Sequence, residues 1–174
     1  MSEVVSDSTV LIFLAKLNKL PLLKMIYPKV LIPEKVHDEV VGKGRRKGER
    51  NAIIVRNAIK EGWIEVRETE TREDVNEFKL GRGESEALSL SKNLNHEEIL
   101  VDDESARDAA RFLGVKPRGT LFFLAEGLRK SKIDFDEYLK SLEKLIEIGF
   151  YMREEIYLEA VRMGRKIAAQ KHRI

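Results

Sequence analysis

A chain of 174 residues, 43% of them hydrophobic, can bury a sizeable core without staples, and the absence of Cys sets aside the secreted disulfide scaffolds. With 32 basic and 30 acidic side chains the formal net charge is +2, so the chain as a whole is no electrostatic trap for polyanions, and any nucleic-acid binding must come from local clusters. No apolar run reaches membrane-spanning length, and Glu3 and Asp7 arrive too early for a leader. The expectation is a soluble cytoplasmic protein without membrane contact, and a 36% charged composition fits a heat-adapted, thermophile-like one.

Val4 and Val5 form a short apolar run of the kind a buried parallel strand shows. Ser6-Asp7-Ser8-Thr9 then offers several N-cap candidates for a helix patterned by Val10, Leu11, Leu14, Ala15 and Leu17. Asp7 thus falls at the carboxyl end of a first strand, where open parallel sheets hold their ligands. Asn18 to Pro21 marks a break; Leu22, Leu23 and Ile26 suggest a short second helix, and Lys29 to Ile32 a second strand. Pro33 suits the first turn of the next helix, with Glu34 near its positive end. On that helix Val36, Glu39 and Val40 share the inward face, while Asp38 points elsewhere. The run from Gly42 to Arg50, punctuated by glycines and carrying Lys43, Arg45, Arg46 and Lys47, reads as a mobile basic loop suited to phosphate contacts.

A helical pattern resumes from Ala52 to Ile59, Trp63 to Val66 alternates like a strand, and Thr69 to Asp74 is charged and exposed. The next helix starts after Gly81 and Gly83. There Glu84 shares a face with Ala87, Leu88 and Ser91, whereas Glu86 lies roughly 200° round the helix, so Glu84 is the acid expected to face inward. Ile99 to Val101 is another buried strand, running into Asp102-Asp103-Glu104 and a helix with Ala106, Ala109 and Ala110; two or three acids there exceed what capping needs. Gly114 to Thr120 supplies a last short strand and a turn into the apolar helix from Leu121 to Leu128. Two amphipathic helices follow, Tyr138 to Ile148 and Arg153 to Ala169. The alternation predicts a three-layer α/β/α sandwich on a mostly parallel sheet over residues 1–130, with a C-terminal helical appendage over 131–174 that packs on the domain or serves dimerisation.

Acids gathered without Cys, and with His37, His96 and His172 as the only imidazoles, make a hard oxygen site suited to Mg²⁺ or Mn²⁺ rather than zinc or iron. Such carboxylates repel one another unless a cation joins them or some are protonated. Divalent ions held this way orient a phosphate ester, activate water and stabilise the leaving oxygen. A Gly-x-x-x-x-Gly-Lys phosphate loop is absent, as is a Ser or Cys nucleophile with a His partner.

Val5 to Ile12, Ile32 to Val40, Gly83 to Leu88 and Leu100 to Arg107 resemble, in order and spacing, the successive acidic motifs of PIN-domain nucleases. Gly119-Thr120 before an apolar helix is similar to that branch's next element. Glu84 stands where many PIN domains have Asp, and Val101 where many have Thr; the two terminal helices are similar to those of a poorly characterised branch. The resemblance implies a metal-dependent endoribonuclease of the VapC toxin kind, cleaving single-stranded RNA. It places Asp7, Glu39, Glu84 and one of Asp102 and Asp103 at the metal site, with Mg²⁺ or Mn²⁺ as cofactor. A small antitoxin protein and a second copy of the chain are the partners it implies. Its alternative is a PIN-like domain that binds RNA or a protein without cleaving.

Overall fold

The computed structural model describes residues 3–173, and of residues 44 and 45 the backbone alone. Five strands among the described residues, β1 (Glu3–Ser6), β2 (Lys29–Pro33), β3 (Ile64–Arg67), β4 (Glu98–Leu100) and β5 (Lys116–Arg118), form one sheet in the order β3-β2-β1-β4-β5. Every pairing is parallel, with Val4 beside Val30 and Ser6 beside Leu100. Parallel neighbours need crossovers, and the chain supplies helices for them. Between β1 and β2 run α1 (Ser8–Lys16) and α2 (Leu20–Ile26); between β2 and β3 run α3 (Glu34–His37), α4 (Lys43–Arg46) and α5 (Arg50–Lys60). Next come α6 (Glu73–Asn76) and α7 (Arg82–Asn93) before β4, and α8 (Glu104–Phe112) before β5.

Strand alternation divides the core into two layers. Val5, Leu31 and Ile99 pack with Ala87, Leu88 and Leu90 of α7 and with Ala106, Ala109 and Ala110 of α8. Their chain neighbours Val4, Val30 and Leu100 are just as buried and face the opposite side. On that side α1 and α5 pack together, burying Val10, Leu11 and Leu14 against Ala52 and Val55. The result is an α/β/α sandwich. From β1 the chain winds outward through β2 to β3, then returns to add β4 and β5 beyond β1's other edge. The topological switch point therefore lies at the carboxyl ends of β1 and β4.

Three local expectations need correction. Pro33 closes β2 and serves as the N-cap of α3 instead of lying inside the helix. The break after α1 is shorter than Asn18 to Pro21: Asn18 takes a positive φ, and α2 begins at Leu20 with Pro21 in its first turn, where a missing N–H costs nothing. The largest difference is the basic run. A π-helical turn, Asp38–Gly42, joins α3 to α4, so Lys43 to Arg46 are helical, and only the turn at Lys47 and Gly48, with Gly48 at φ 69°, breaks away. Glycine weakens a helix by about 1 kcal/mol. Here the buried Val40 and Val41 anchor the continuous helix on α1 and α5, and packing overrides that local preference.

The chain divides into two compact units between Gly119 and Thr120, and the second is built from α9 (Thr120–Arg129), α10 (Phe135–Glu147) and α11 (Glu154–Lys171). Within it Tyr138 is fully buried and donates from Oη to the Ala160 carbonyl at 2.7 Å. Gly164 of α11 lets the helix approach: a Cβ there would collide with the Tyr138 ring and stand 3.1 Å from Phe135 Cε2. Gly164→Ala should therefore destabilise this unit by about 1–3 kcal/mol despite alanine's better helix propensity, since a packed ring cannot step aside. Chemical denaturation reads the change; an unchanged or higher midpoint would show that the helices slide apart freely. Among the described residues no helix is long and apolar enough to cross a membrane.

Candidate active site

Asp7 occupies the switch point. Its backbone N–H donates to the Leu100 carbonyl at 2.9 Å, tying the end of β1 to the end of β4, and its side chain caps α1. Oδ1 accepts the N–H groups of Thr9 at 3.1 Å and Val10 at 3.4 Å. Oδ2 is buried and has no hydrogen-bond partner. With the residue 1% exposed, burial pushes the carboxyl well above its ordinary value of 3.8. The charge of Asp102 pushes in the same direction, as does that of Glu84, while the Val10 and Thr9 N–H groups pull it back.

The other acids gather around this one. Glu39 sits on the π-helical turn, where its Oε2 accepts the Ser8 hydroxyl at 3.0 Å, next along the chain from Asp7. Glu84, in the first turn of α7, accepts the Gly81 N–H at 3.2 Å. Burial raises its pKa, as do the charges of Asp103 and Glu39, against the pull of the Gly81 N–H. Asp103 is exposed and caps α8 through the Ala106 N–H at 3.0 Å. Asp102 lies just past β4, beside Arg107, whose Nη1 donates to the Val101 carbonyl at 3.0 Å. Asp7 thus feels Asp102 and Glu84, and Glu84 feels Asp103 and Glu39, so four segments bring their acids within electrostatic reach of one another.

Glu86 departs from expectation. It is 7% exposed, deeper than Glu84, and its carboxylate accepts Arg82 Nε at 3.2 Å. The helical wheel does not turn Glu86 away from the interior, because α7 is buried at Gly83 and at every position from Ser85 to Ser91 and so has no single inward face. A carboxylate held this deep is rare unless paired, and Arg82 is its partner, so Glu86 is a buried, paired acid that the sequence pattern passes over. Of the basic residues, Lys43, Arg46 and Lys47 are exposed, and Arg46 pairs with Asp38 at 3.3 Å; the side chain of Arg45 lies outside the described residues.

Among the described residues no group of three or more His, Cys, Asp or Glu side chains is spaced to clasp a metal ion as it stands. The chemistry of the donors nonetheless fits a hard cation. All are carboxylate oxygens; one of them, Asp7 Oδ2, is buried and unpartnered, and the carboxyls of Asp7 and Glu84 are pushed up first by burial and then by neighbouring acids, a repulsion that a cation would relieve. His96, by contrast, lies 3.4 Å from Glu3 at the amino end of β1, away from Asp7 at its carboxyl end.

A parallel doubly wound sheet with acids at its switch point is an α/β architecture that holds its ligands at the carboxyl ends of the strands. A family model described as PIN domain matches residues 3–165, and the chain belongs to that family. PIN domains are generally nucleases, which gives a nuclease-type function. A search of curated proteins found no match.

Proposed function

We propose that this protein is a divalent-metal-dependent endoribonuclease acting on single-stranded RNA. The observation that carries the reading is Asp7: a buried carboxylate with an unpartnered oxygen, its proton affinity raised by burial and by Asp102 and Glu84, at the switch point of the sheet. Asp7, Glu84 and Asp102 or Asp103 would hold Mg²⁺ or Mn²⁺, and Glu39 would complete the acidic set. When bound, the ion would orient the scissile phosphodiester, polarise the attacking water and stabilise the leaving oxygen. The chain's own residues set up that chemistry: Ser8 orients Glu39, the Thr9 and Val10 N–H groups hold Asp7 Oδ1, and Arg107 braces the Val101 carbonyl beside Asp102.

Cleavage of a labelled single-stranded RNA should require Mg²⁺ or Mn²⁺, stop on addition of EDTA and return on readdition of the ion. Undiminished cleavage after exhaustive chelation would refute metal dependence, and RNA binding with no cleavage under any ion would favour the non-cleaving alternative. The resemblance to the toxin branch extends the proposal to a toxin held in check by a small partner protein. Relief of growth arrest by co-expressing the adjacent gene tests that extension.

A further inference from the structure

Two of the acids lie against glycine. A Cβ built at Gly83 would run into Oε1 of Glu39 and stand 3.1 Å from its Cδ and 3.3 Å from Oε2. One built at Gly119 would stand 2.7 Å from Asp102 Oδ1 and 3.0 Å from Arg107 Nη1. Neither glycine is present for its backbone freedom: positive φ occurs at Gly48, Gly62, Gly114 and Gly149, but not at these two. Gly83 even lies within α7, where alanine is the better helix former, so local structure gives no reason to keep it. What occupies the space of the missing side chain is, in both places, a carboxylate of the acidic cluster.

We propose that Gly83 and Gly119 are positioning residues whose bare backbone forms the seats in which the Glu39 and Asp102 carboxylates are held beside Asp7. The colliding atoms are the tips of flexible side chains, unlike the packed Tyr138 ring that meets Gly164, so an added methyl displaces the carboxylate and leaves the backbone in place. At Gly83 the displacement takes Glu39 off the Ser8 hydroxyl; at Gly119 it moves Asp102 together with the Arg107 guanidinium. The consequence for metal binding rests on the nuclease reading, whereas the seats themselves do not.

Crystal structures and Mn²⁺ titrations of the parent, Gly83→Ala and Gly119→Ala test this. The expected result is that Gly83→Ala folds and melts at or above the parent, that Glu39 no longer accepts the Ser8 hydroxyl, and that Mn²⁺ affinity falls roughly 10–100-fold, the usual effect of losing a group that orients a metal ligand. Adding Glu39→Asp, which retracts the carboxylate by about one C–C bond, roughly 1.5 Å, should restore part of the affinity in the Gly83→Ala background and not in the parent. Glu39 still on Ser8 and Asp102 unmoved in the alanine variants would overturn the proposal. Loss of the fold in both variants would do so too, because the glycines would then serve packing alone. A parent that binds no Mn²⁺, with Glu39 nevertheless displaced in Gly83→Ala, would leave the seats standing and bring down the metal reading.

Discussion

Asp7→Asn should abolish RNA cleavage, by on the order of 10²–10³-fold at the least, and at the same time stabilise the metal-free protein. Both effects come from one atom. The amide keeps the shape of the carboxylate, so its Oδ1 can still accept the Thr9 and Val10 N–H groups, while the charge that burial, Asp102 and Glu84 all disfavour at the buried, unpartnered Oδ2 is removed. Removing the charge from a buried oxygen without a partner is worth about 1–3 kcal/mol, or roughly 2–12 °C in Tm for a chain of this size. The sign of the pH dependence follows from the direction of the shift. Because the folded-state pKa of Asp7 is raised, the contribution of this one group to the parent's stability is fully present below the ordinary value of 3.8 and is lost as pH rises through the raised value. The variant's advantage in EDTA should therefore be largest near neutral pH and vanish as pH falls below that ordinary value. Mn²⁺ should reverse the order: at one hundred times its Kd it stabilises the parent by about 2.7 kcal/mol and the variant by far less. Thermal melts of both proteins across pH, with and without Mn²⁺, read all of this, and an Asn variant less stable than the parent in EDTA at neutral pH would mean that Asp7 is not strained by its charge.

Asp7 was legible from the chain because strand, acid and helix follow one another within a few residues, and local order then fixes the place in three dimensions. Glu39 was legible for a related reason: its spacing from Val36 and Val40 survives the π-helical turn well enough to bring it to Ser8. Glu84 and Glu86 mark where such reasoning stops. A helical wheel sorts inside from outside only when one side of a helix meets water, and α7 is covered nearly all round. Asp102 and Asp103 could not be separated by pattern, and in the structure they divide the work: Asp103 caps α8 and acts on Glu84, whereas Asp102 acts on Asp7. The glycine seats were invisible as well, since Gly83 and Gly119 meet side chains 44 and 17 positions away, Glu39 and Asp102.

The basic segment carries the other large expected effect. On the proposed function, an acidic site repels the phosphates it would process, so a chain of net charge +2 would need positive charge nearby to hold a strand. Lys43 and Arg46 would provide it from α4, which continues the helical path that carries Glu39, so their place relative to the acids is set by the helix and not by a wandering loop. Arg46 is already engaged with Asp38, but that pair is exposed and such pairs are worth about 0–1 kcal/mol, little enough to be exchanged for a phosphate. Replacing Lys43, Arg46 and Lys47 together by Ala should lower the salt slope of single-stranded RNA binding by roughly 0.7 per lost contact. Between 50 and 200 mM salt the parent would then lose roughly twentyfold more affinity than the variant, while cleavage at saturating RNA changes far less because no acid has moved. Filter binding across that salt range decides the matter: parallel salt dependences for parent and variant would show that α4 is a solvated surface and that the strand approaches by another face, with Arg165, Lys166 and Lys171 the next side chains to replace.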